Sequence, residues 1–188
     1  MRSIFFMTGL FLLSGCAARQ VSALADPRLA RAERLIDAFY SFDPARLRPE
    51  LADAPRSAAE ILYYQGWAEG GNYQVLERKP CRAENAATVA CSIKVRDDLI
   101  GALRTGYDVT DTFHMTFADG RIVKVATSSD DPPAMSEAFK WLRARKPQLW
   151  TSGPCRGFFA AGPTPQDCVR AVVSGFREYR LANPLPRG

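Results

Sequence analysis

The sequence predicts an α+β protein in which N-terminal helices pack on an antiparallel sheet. Apolar residues recur at helical spacing over residues 27–67, which predicts amphipathic helices. Over residues 73–127 the period changes to alternation of apolar and polar residues, which predicts strands. Asp119-Gly120 separates two of these runs and is typical of a tight hairpin, so neighbouring strands are expected to be antiparallel.

Three N-terminal helices are predicted from their start signals. Asp26-Pro27 and Asp43-Pro44 each place a capping residue before a first-turn proline. Ser57, with Glu60 three residues later, has the pattern of a capping box for the third helix. Gly70-Gly71 predicts the end of that helix.

Four strands are predicted from the alternating runs. They are Tyr73–Lys79, Ala87–Arg96, Tyr107–Phe117 and Arg121–Thr127. Asp97 to Gly106 forms a longer connection with room for a helical turn.

Two further helices follow the strands. The first begins after Pro133 and ends at Pro147, and Asp130-Asp131 are interpreted as capping its N-terminus. The second begins at Thr164-Pro165 and carries an apolar stripe.

The N-terminus has the order of an export signal. Arg2 supplies a positive charge, residues 4–13 form a short apolar run, and Leu13-Ser14-Gly15-Cys16 ends it. The run is about half as long as a bilayer-spanning helix. The last four residues resemble the bacterial lipobox, which implies that Cys16 is lipidated and becomes the mature N-terminus. The alternative is an ordinary signal peptide that is cut elsewhere.

The remaining four cysteines suit an oxidising compartment. An even number predicts disulfides, and four cysteines allow three pairings. We favour Cys81–Cys91 and Cys155–Cys168, because the members of each pair are near in sequence. A zinc site is disfavoured by these wide gaps, and a catalytic cysteine by the single histidine in the chain.

The charge pattern does not predict a nucleic-acid site. The chain has 25 Lys and Arg against 20 Asp and Glu, a formal net charge of +5. These basic residues are scattered and do not form a stripe with interleaved aromatics. A solvated basic surface beside anionic lipid is the better interpretation. No metal or cofactor motif was found, so none is expected.

The predicted elements follow a familiar order, with helices first and antiparallel strands after them. The strands end in the hairpin Phe117-Ala118-Asp119-Gly120-Arg121-Ile122-Val123. Residues 27–146 thereby resemble the nuclear transport factor 2-like (SnoaL-like or ketosteroid isomerase-like) superfamily. The resemblance implies a cone-shaped fold, in which a curved sheet wraps helices around an apolar pocket. It does not imply one activity, since members include enzymes, binding domains and scaffolds. It also implies that a homodimer through the sheet can form.

One candidate catalytic residue, Asp111, and five pocket candidates, Asp111 among them, emerge from this pattern. In strand Tyr107–Phe117 the odd positions are mostly apolar and should face the core, which places Asp111 and Phe113 on the inner face. Burial would raise the pKa of Asp111, as acid–base catalysis requires. The alternative is a structural carboxylate with hydrogen-bond partners. Tyr40, Tyr64 and Trp67 are the other pocket candidates, with ordinary core packing as the alternative.

His114 falls on the opposite, threonine-rich face of this strand. A histidine exposed to solvent or placed at an interface is expected there.

These observations divide the chain into a lipoprotein signal (1–15), a tether (16–26), the nuclear transport factor 2-like domain (27–146) and a disulfide-linked helical extension (147–188). The expected function is a binding or assembly module of the cell envelope, anchored by lipid and facing the periplasm. Ala17 after the cysteine favours the outer membrane. Its expected partners are the membrane, an envelope protein or a small apolar ligand. The alternative is an isomerase- or dehydratase-like enzyme that uses Asp111 as general acid or base.

Overall fold

The α+β prediction is confirmed by the computed structural model, which describes residues 26–160 and 162–185. The predicted signal, Cys16 and nearly all of the tether lie outside the described residues. The elements in chain order are α1 (Pro27–Phe39), α2 (Pro44–Glu50), α3 (Pro55–Gly70), β1 (Gln74–Arg78), β2 (Arg82–Ala83), β3 (Thr88–Arg96), α4 (Asp98–Leu103), β4 (Val109–Ala118), β5 (Arg121–Ser129), α5 (Pro133–Arg145), α6 (Gln148–Thr151) and α7 (Pro165–Ala182).

The five strands form one antiparallel sheet in the order β1-β3-β4-β5, and the short β2 also pairs with β3. The β4–β5 turn is the predicted Asp119-Gly120 hairpin. Both residues have positive φ, 50° and 72°, as a two-residue turn between twisted strands requires. Among the described residues, no helix is long and apolar enough to cross a bilayer.

Strand β4 alternates as predicted between a buried face and a partly exposed face. Its inner face consists of Val109, Asp111, Phe113, Met115 and Phe117. On its outer face, His114 contacts Glu84 Oε2 at 3.1 Å and Ser128 Oγ at 3.0 Å.

The prediction that the strand begins at Tyr107, and that Tyr107 faces inward, is wrong. The preceding Gly106 has a φ of 69°, which turns the chain before pairing begins at Val109 and leaves Tyr107 exposed.

The first two helices begin where their signals predict. The Asp26 carboxylate accepts a hydrogen bond from the Arg28 N–H at 3.0 Å, and Asp43 accepts one from the Ala45 N–H at 2.8 Å. Both helices have proline in the first turn, where its missing N–H costs nothing.

The capping box predicted at Ser57 is wrong. Helix α3 begins at Pro55, and no side chain caps it. The Ser57 hydroxyl is buried and instead accepts a hydrogen bond from the backbone N–H of Val125 on β5, at 3.0 Å. The serine therefore joins the helix to the sheet, because a buried backbone donor there needs a partner.

The capping role predicted for Asp130-Asp131 is also wrong. Helix α5 begins at Pro133 without a side-chain cap. Asp130 accepts a hydrogen bond from the Thr110 N–H at 2.5 Å, and Asp131 accepts one from the Ser129 hydroxyl at 3.1 Å. The Asp130 carboxylate therefore joins the chain after β5 to β4, and Asp131 contacts the side chain two residues before it.

The C-terminal segment is part of the main hydrophobic core. Helix α7 packs on α3, α4 and α5 and buries Cys168, Val169, Val172 and Phe176 completely. Thr164 precedes it as predicted, but the Thr164 hydroxyl donates to the Pro154 carbonyl at 3.0 Å and does not cap the helix.

Both favoured cysteine pairs form disulfides. The Cα atoms of Cys81 and Cys91 are 4.3 Å apart, and those of Cys155 and Cys168 are 4.6 Å apart. The first bridge links the segment between β1 and β2 to β3, and the second links the loop after α6 to the start of α7.

The crossing of α3 and α7 depends on the absence of a side chain at Gly70. A Cβ there would lie 2.6 Å from Gln166 Cα and 2.8 Å from Val169 Cγ1. Because backbone blocks the space, we expect Gly70→Ala to lower the free energy of unfolding by about 1–3 kcal/mol. Gly101→Ala in α4 is the matched control: nothing lies within 4 Å of its Cβ, so it should stabilise by about 0.5–1 kcal/mol. Urea unfolding of both variants checks this, and equal effects would contradict the close crossing.

Candidate functional site

An open cavity of about 260 Å³ lies between α3, β5, α5 and the loop that precedes α7. Half of its lining residues are aromatic. The aromatic members are Tyr64, Trp67, Tyr73, Phe139, Phe158 and Phe159. This volume lies just below the range of about 300–1,000 Å³ typical of drug-sized ligand sites, so the cavity suits a smaller ligand.

Phe158 and Phe159 bring the C-terminal loop into this wall. Their ring centroids are 4.8 Å apart, and Phe158 lies 5.2 Å from the Trp67 ring. The loop turns tightly: Gly157 has a φ of 73°, and its carbonyl accepts hydrogen bonds from the N–H groups of Ala160 and Gly162. Phe159 also has a positive φ, 52°, which is costly for a bulky residue and is maintained by the packing around it.

Asp111 is a buried carboxyl that lies behind the cavity wall and is not itself a lining residue. It pairs in register with Ser129, which lines the cavity, and its side chain is enclosed on the inner face of the sheet at 2% exposure. Within the described residues, its Oδ2 atom has no hydrogen-bond partner. Burial raises the pKa of Asp111 to about 7, although the Tyr64 and Ser129 hydroxyls act to lower it.

Two further carboxylates lie near Asp111 and complete what we term the acidic cluster (Asp97, Asp111 and Asp131). Burial raises the pKa of Asp97 to about 6, while hydrogen bonds from the N–H groups of Ile100 and Leu99 lower it. Asp131 lies at the exposed rim, and the pKa of its carboxyl is also raised by partial burial. The charges of Asp131 and Asp97 both raise the pKa of Asp111, so the three groups repel one another when ionised.

The residues predicted for the pocket occupy three kinds of position. Tyr64 and Trp67 line the cavity, and Asp111 lies against Tyr64. Phe113 is fully buried behind the wall, with its ring stacked on Tyr64 at a centroid distance of 6.0 Å. Tyr40 packs edge-on against Phe39 in the core, away from the cavity lining.

Among the aromatic and acidic residues of the site, those not predicted from the sequence are Tyr73, Asp97, Asp131, Phe139 and the Phe158-Phe159 pair. The pair offered a usable signal, because two adjacent aromatics stand in a loop closed by a predicted disulfide. Asp97 and Asp131 offered none, since each belongs to a pair of adjacent acids in a connection between elements, Asp97-Asp98 and Asp130-Asp131.

Within residues 26–160 and 162–185, no group of His, Cys, Asp and Glu is arranged to hold a metal ion. Comparisons of the chain with protein-family models, with curated proteins and with solved structures found no match. The function has to be argued from the cavity itself.

Proposed function

We propose that this protein is a lipid-anchored module of the cell envelope that binds a small, largely apolar ligand in the aromatic cavity. The observation that carries the proposal is an open cavity with six aromatic residues in its lining and the buried carboxyl of Asp111 beside it. Ligand sites have this composition: apolar walls bury the ligand, and a few polar groups orient it.

The cavity favours ligand binding over a purely structural role. A domain that serves only as a scaffold gains stability by filling such a space, at roughly 25 cal/mol per Å² of apolar surface buried. Here Trp67, Phe158 and Phe159 surround the space without occupying it.

The proposed ligand site can be tested by filling it. Thr127 lines the cavity from β5, so Thr127→Phe should occupy the space and weaken binding of hexan-1-ol at least tenfold. Thr116→Phe is the matched control, because Thr116 lies on the outer face of β4. Titration calorimetry on the oxidised chain, secreted without its lipidation cysteine, measures both. Equal affinities of the two variants would contradict binding in this cavity.

The anchoring part of the proposal rests on Leu13-Ser14-Gly15-Cys16 and on the two disulfides, which fit an oxidising compartment such as the periplasm. A diacylated Cys16 would hold the domain at the bilayer through its buried methylenes, with the outer membrane as the expected site.

Cys16→Ser should abolish acylation, because the thiol that carries the lipid is lost. Metabolic labelling with a palmitate analogue, followed by the intact mass of the mature chain, measures this directly. Ser22→Ala in the predicted tether should label like the natural chain. Label retained in Cys16→Ser would refute the assignment.

A nuclear transport factor 2-like fold is the second part of the proposal. Helices α1 to α3 precede the antiparallel sheet, and the cavity lies between helices and sheet, as the resemblance implies. Helix α7 and the loop before it are additions to that pattern, and the loop supplies one wall of the cavity through Phe158 and Phe159.

An isomerase- or dehydratase-like enzyme is the second candidate, favoured by one specific observation. The pKa of Asp111 is raised to about 7 by burial, so its carboxyl can both accept and return a proton near neutral pH. The carboxyl lies behind the lining residues Tyr64 and Ser129, so a proton taken from a substrate would reach it through one of these hydroxyls. Turnover that Asp111→Asn abolishes without weakening binding would favour this enzyme.

A further inference from the structure

We propose that the outer face of the sheet carries a hydrolytic site for short-chain esters, built from Ser128, His114 and Glu84. Its reacting groups lie on the face opposite to the aromatic cavity, so the site goes beyond the ligand binding proposed above. The order of contacts around the one histidine of the chain carries the inference. The Ser128 hydroxyl lies 3.0 Å from His114 Nε2, and Glu84 Oε2 lies 3.1 Å from His114 Nδ1.

These contacts determine where the protons of the cluster lie. An ionised carboxylate only accepts hydrogen bonds, so in the neutral ring His114 Nδ1 carries the proton and donates it to Glu84. His114 Nε2 is then an acceptor, and the Ser128 hydroxyl is its donor. In this state the ring can take the serine proton directly. A serine, a histidine and a carboxylate in this order activate the serine oxygen as a nucleophile.

Three separate segments hold these side chains in place. His114 belongs to β4, Ser128 to the paired strand β5, and Glu84 to the turn between β2 and β3. The Glu84 N–H donates to the Thr88 carbonyl at 2.9 Å, and the disulfide Cys81–Cys91 closes the loop that contains this turn. The side chains of His114 and Glu84 are 33% and 29% exposed, whereas Ser128 is an exposed residue. The base is therefore sheltered, and a substrate can reach the nucleophile.

A row of hydroxyls beside the serine can stabilise the oxyanion that forms when an ester is attacked. Ser92, Thr112 and Ser128 pair in register across β3, β4 and β5. Ser92 Oγ and Thr112 Oγ1 are 3.1 Å apart, so one of their two protons makes the hydrogen bond between them. Within the described residues the other proton has no acceptor. A hydroxyl donor next to the reacting carbonyl lowers the barrier by stabilising the developing charge.

The reaction that this arrangement supports is ester hydrolysis. Ser128 Oγ forms a bond to the carbonyl carbon, its proton moves to His114 Nε2, and the carbonyl electron pair moves to the oxygen. The C=O bond then reforms, the ester C–O bond breaks, and the alcohol leaves with the proton from Nε2. Water attacks the acyl-serine in the same way, so the acid leaves and Ser128 regains its proton. Glu84 is a positioning residue, because it orients the ring and stabilises its protonated form.

The surface next to the serine indicates the substrate class. A groove of about 370 Å³ on the same face includes Ser92 and Thr110, and side chains of both charges line it, among them Lys94 and Asp108. Within the described residues, Tyr107 is its only aromatic lining residue. Such a groove can hydrogen-bond polar groups but offers little apolar surface to a long hydrocarbon chain. The expected substrate is therefore an ester of a short acyl group with a polar alcohol.

A fluorophosphonate probe, which bonds to an activated serine oxygen and loses fluoride, tests the nucleophile on the oxidised full chain. Mass spectrometry of the tryptic peptide 125–140 should locate the label at Ser128. Ser128→Ala should abolish labelling, and His114→Gln should slow it about a hundredfold or more, because the base is lost. Ser136→Ala is the matched control, since Ser136 is an exposed serine of α5 in the same peptide. Labelling of Ser128 no faster than that of Ser136 would overturn the proposal.

Hydrolysis of para-nitrophenyl acetate tests turnover and the role of Glu84. Ser128→Ala should remove the catalysed rate. Glu84→Gln should lower kcat at least tenfold and leave KM unchanged, because the ring loses its orientation while the groove stays intact. A rate that Ser128→Ala does not reduce overturns the site. Faster hydrolysis of para-nitrophenyl octanoate than of the acetate overturns the short acyl group.

Discussion

Asp111→Asn should stabilise the folded protein at pH 8 by about 2–4 kcal/mol and leave its stability at pH 4 almost unchanged. The side chain is nearly fully enclosed, and the natural carboxyl has to lose its proton there as the pH rises. Asparagine has a similar shape and never ionises, so the cost of placing a charge in the core disappears.

The sign of this change in stability follows from the linkage between folding and proton binding. Burial raises the pKa of Asp111 from 3.8 to about 7 on folding. Between these values the folded chain holds a proton that the unfolded chain has released, so stability falls as the pH rises through this window. About one pH unit above 7 the loss is nearly complete, and it then stays constant. Asp97, with its pKa raised to about 6, acts in the same direction.

Urea unfolding at several values from pH 4 to pH 8 measures the effect. The natural protein should lose stability across the range, and Asp111→Asn should remove a large part of that loss. Asp119→Asn should follow the natural protein, because its side chain is 89% exposed in the β4–β5 turn. Parallel curves for the natural protein and Asp111→Asn would show that Asp111 titrates normally.

Those parts of the fold that depend on local pattern could be predicted from the sequence. The alternation of β4 identified Asp111 as an inner-face residue. Successive side chains of a strand point to opposite faces, and the apolar residues show which face is buried. Three local signals were interpreted correctly, because each concerns a helix start or a turn only a few residues long. They are Asp26-Pro27, Asp43-Pro44 and Asp119-Gly120.

The errors arose where a tertiary contact outweighed a local signal. Ser57 has a valid capping pattern, but its hydroxyl accepts a hydrogen bond from the Val125 N–H on β5 and does not cap the helix. Asp130 precedes a helix, yet its carboxylate accepts a hydrogen bond from the Thr110 N–H at the start of β4. In both cases a backbone donor from a distant segment needed an acceptor, and a single sequence does not show which segments meet.

The candidate site was predictable only in part for the same reason. Tyr64 and Trp67 belong to one helix, whose inward face the sequence indicates. The rest of the site comes from separate connections: Tyr73, Asp97, Asp131 and the Phe158-Phe159 loop. The Phe158-Phe159 loop reaches the cavity because α7, which follows it, packs on α3.

The disulfide Cys155–Cys168 should therefore matter for binding as well as for stability. It closes a loop of 13 residues that carries Phe158 and Phe159 into the cavity wall. Replacing both cysteines with serine should lower the free energy of unfolding by about 2–4 kcal/mol, since the unfolded chain gains freedom. It should also weaken binding of hexan-1-ol at least tenfold, because the released loop no longer keeps both rings in place.

The double serine variant of Cys81 and Cys91 separates these two effects. That bridge closes a similar loop, with a sequence separation of 10, but joins the segment before β2 to β3, away from the cavity. It should cost a comparable 2–4 kcal/mol and leave the affinity unchanged. Chemical unfolding and calorimetric titration of both variants make the comparison. If both lose affinity equally, general destabilisation explains the loss. If only the Cys155/Cys168 variant does, the loop between these cysteines forms a structural part of the ligand site.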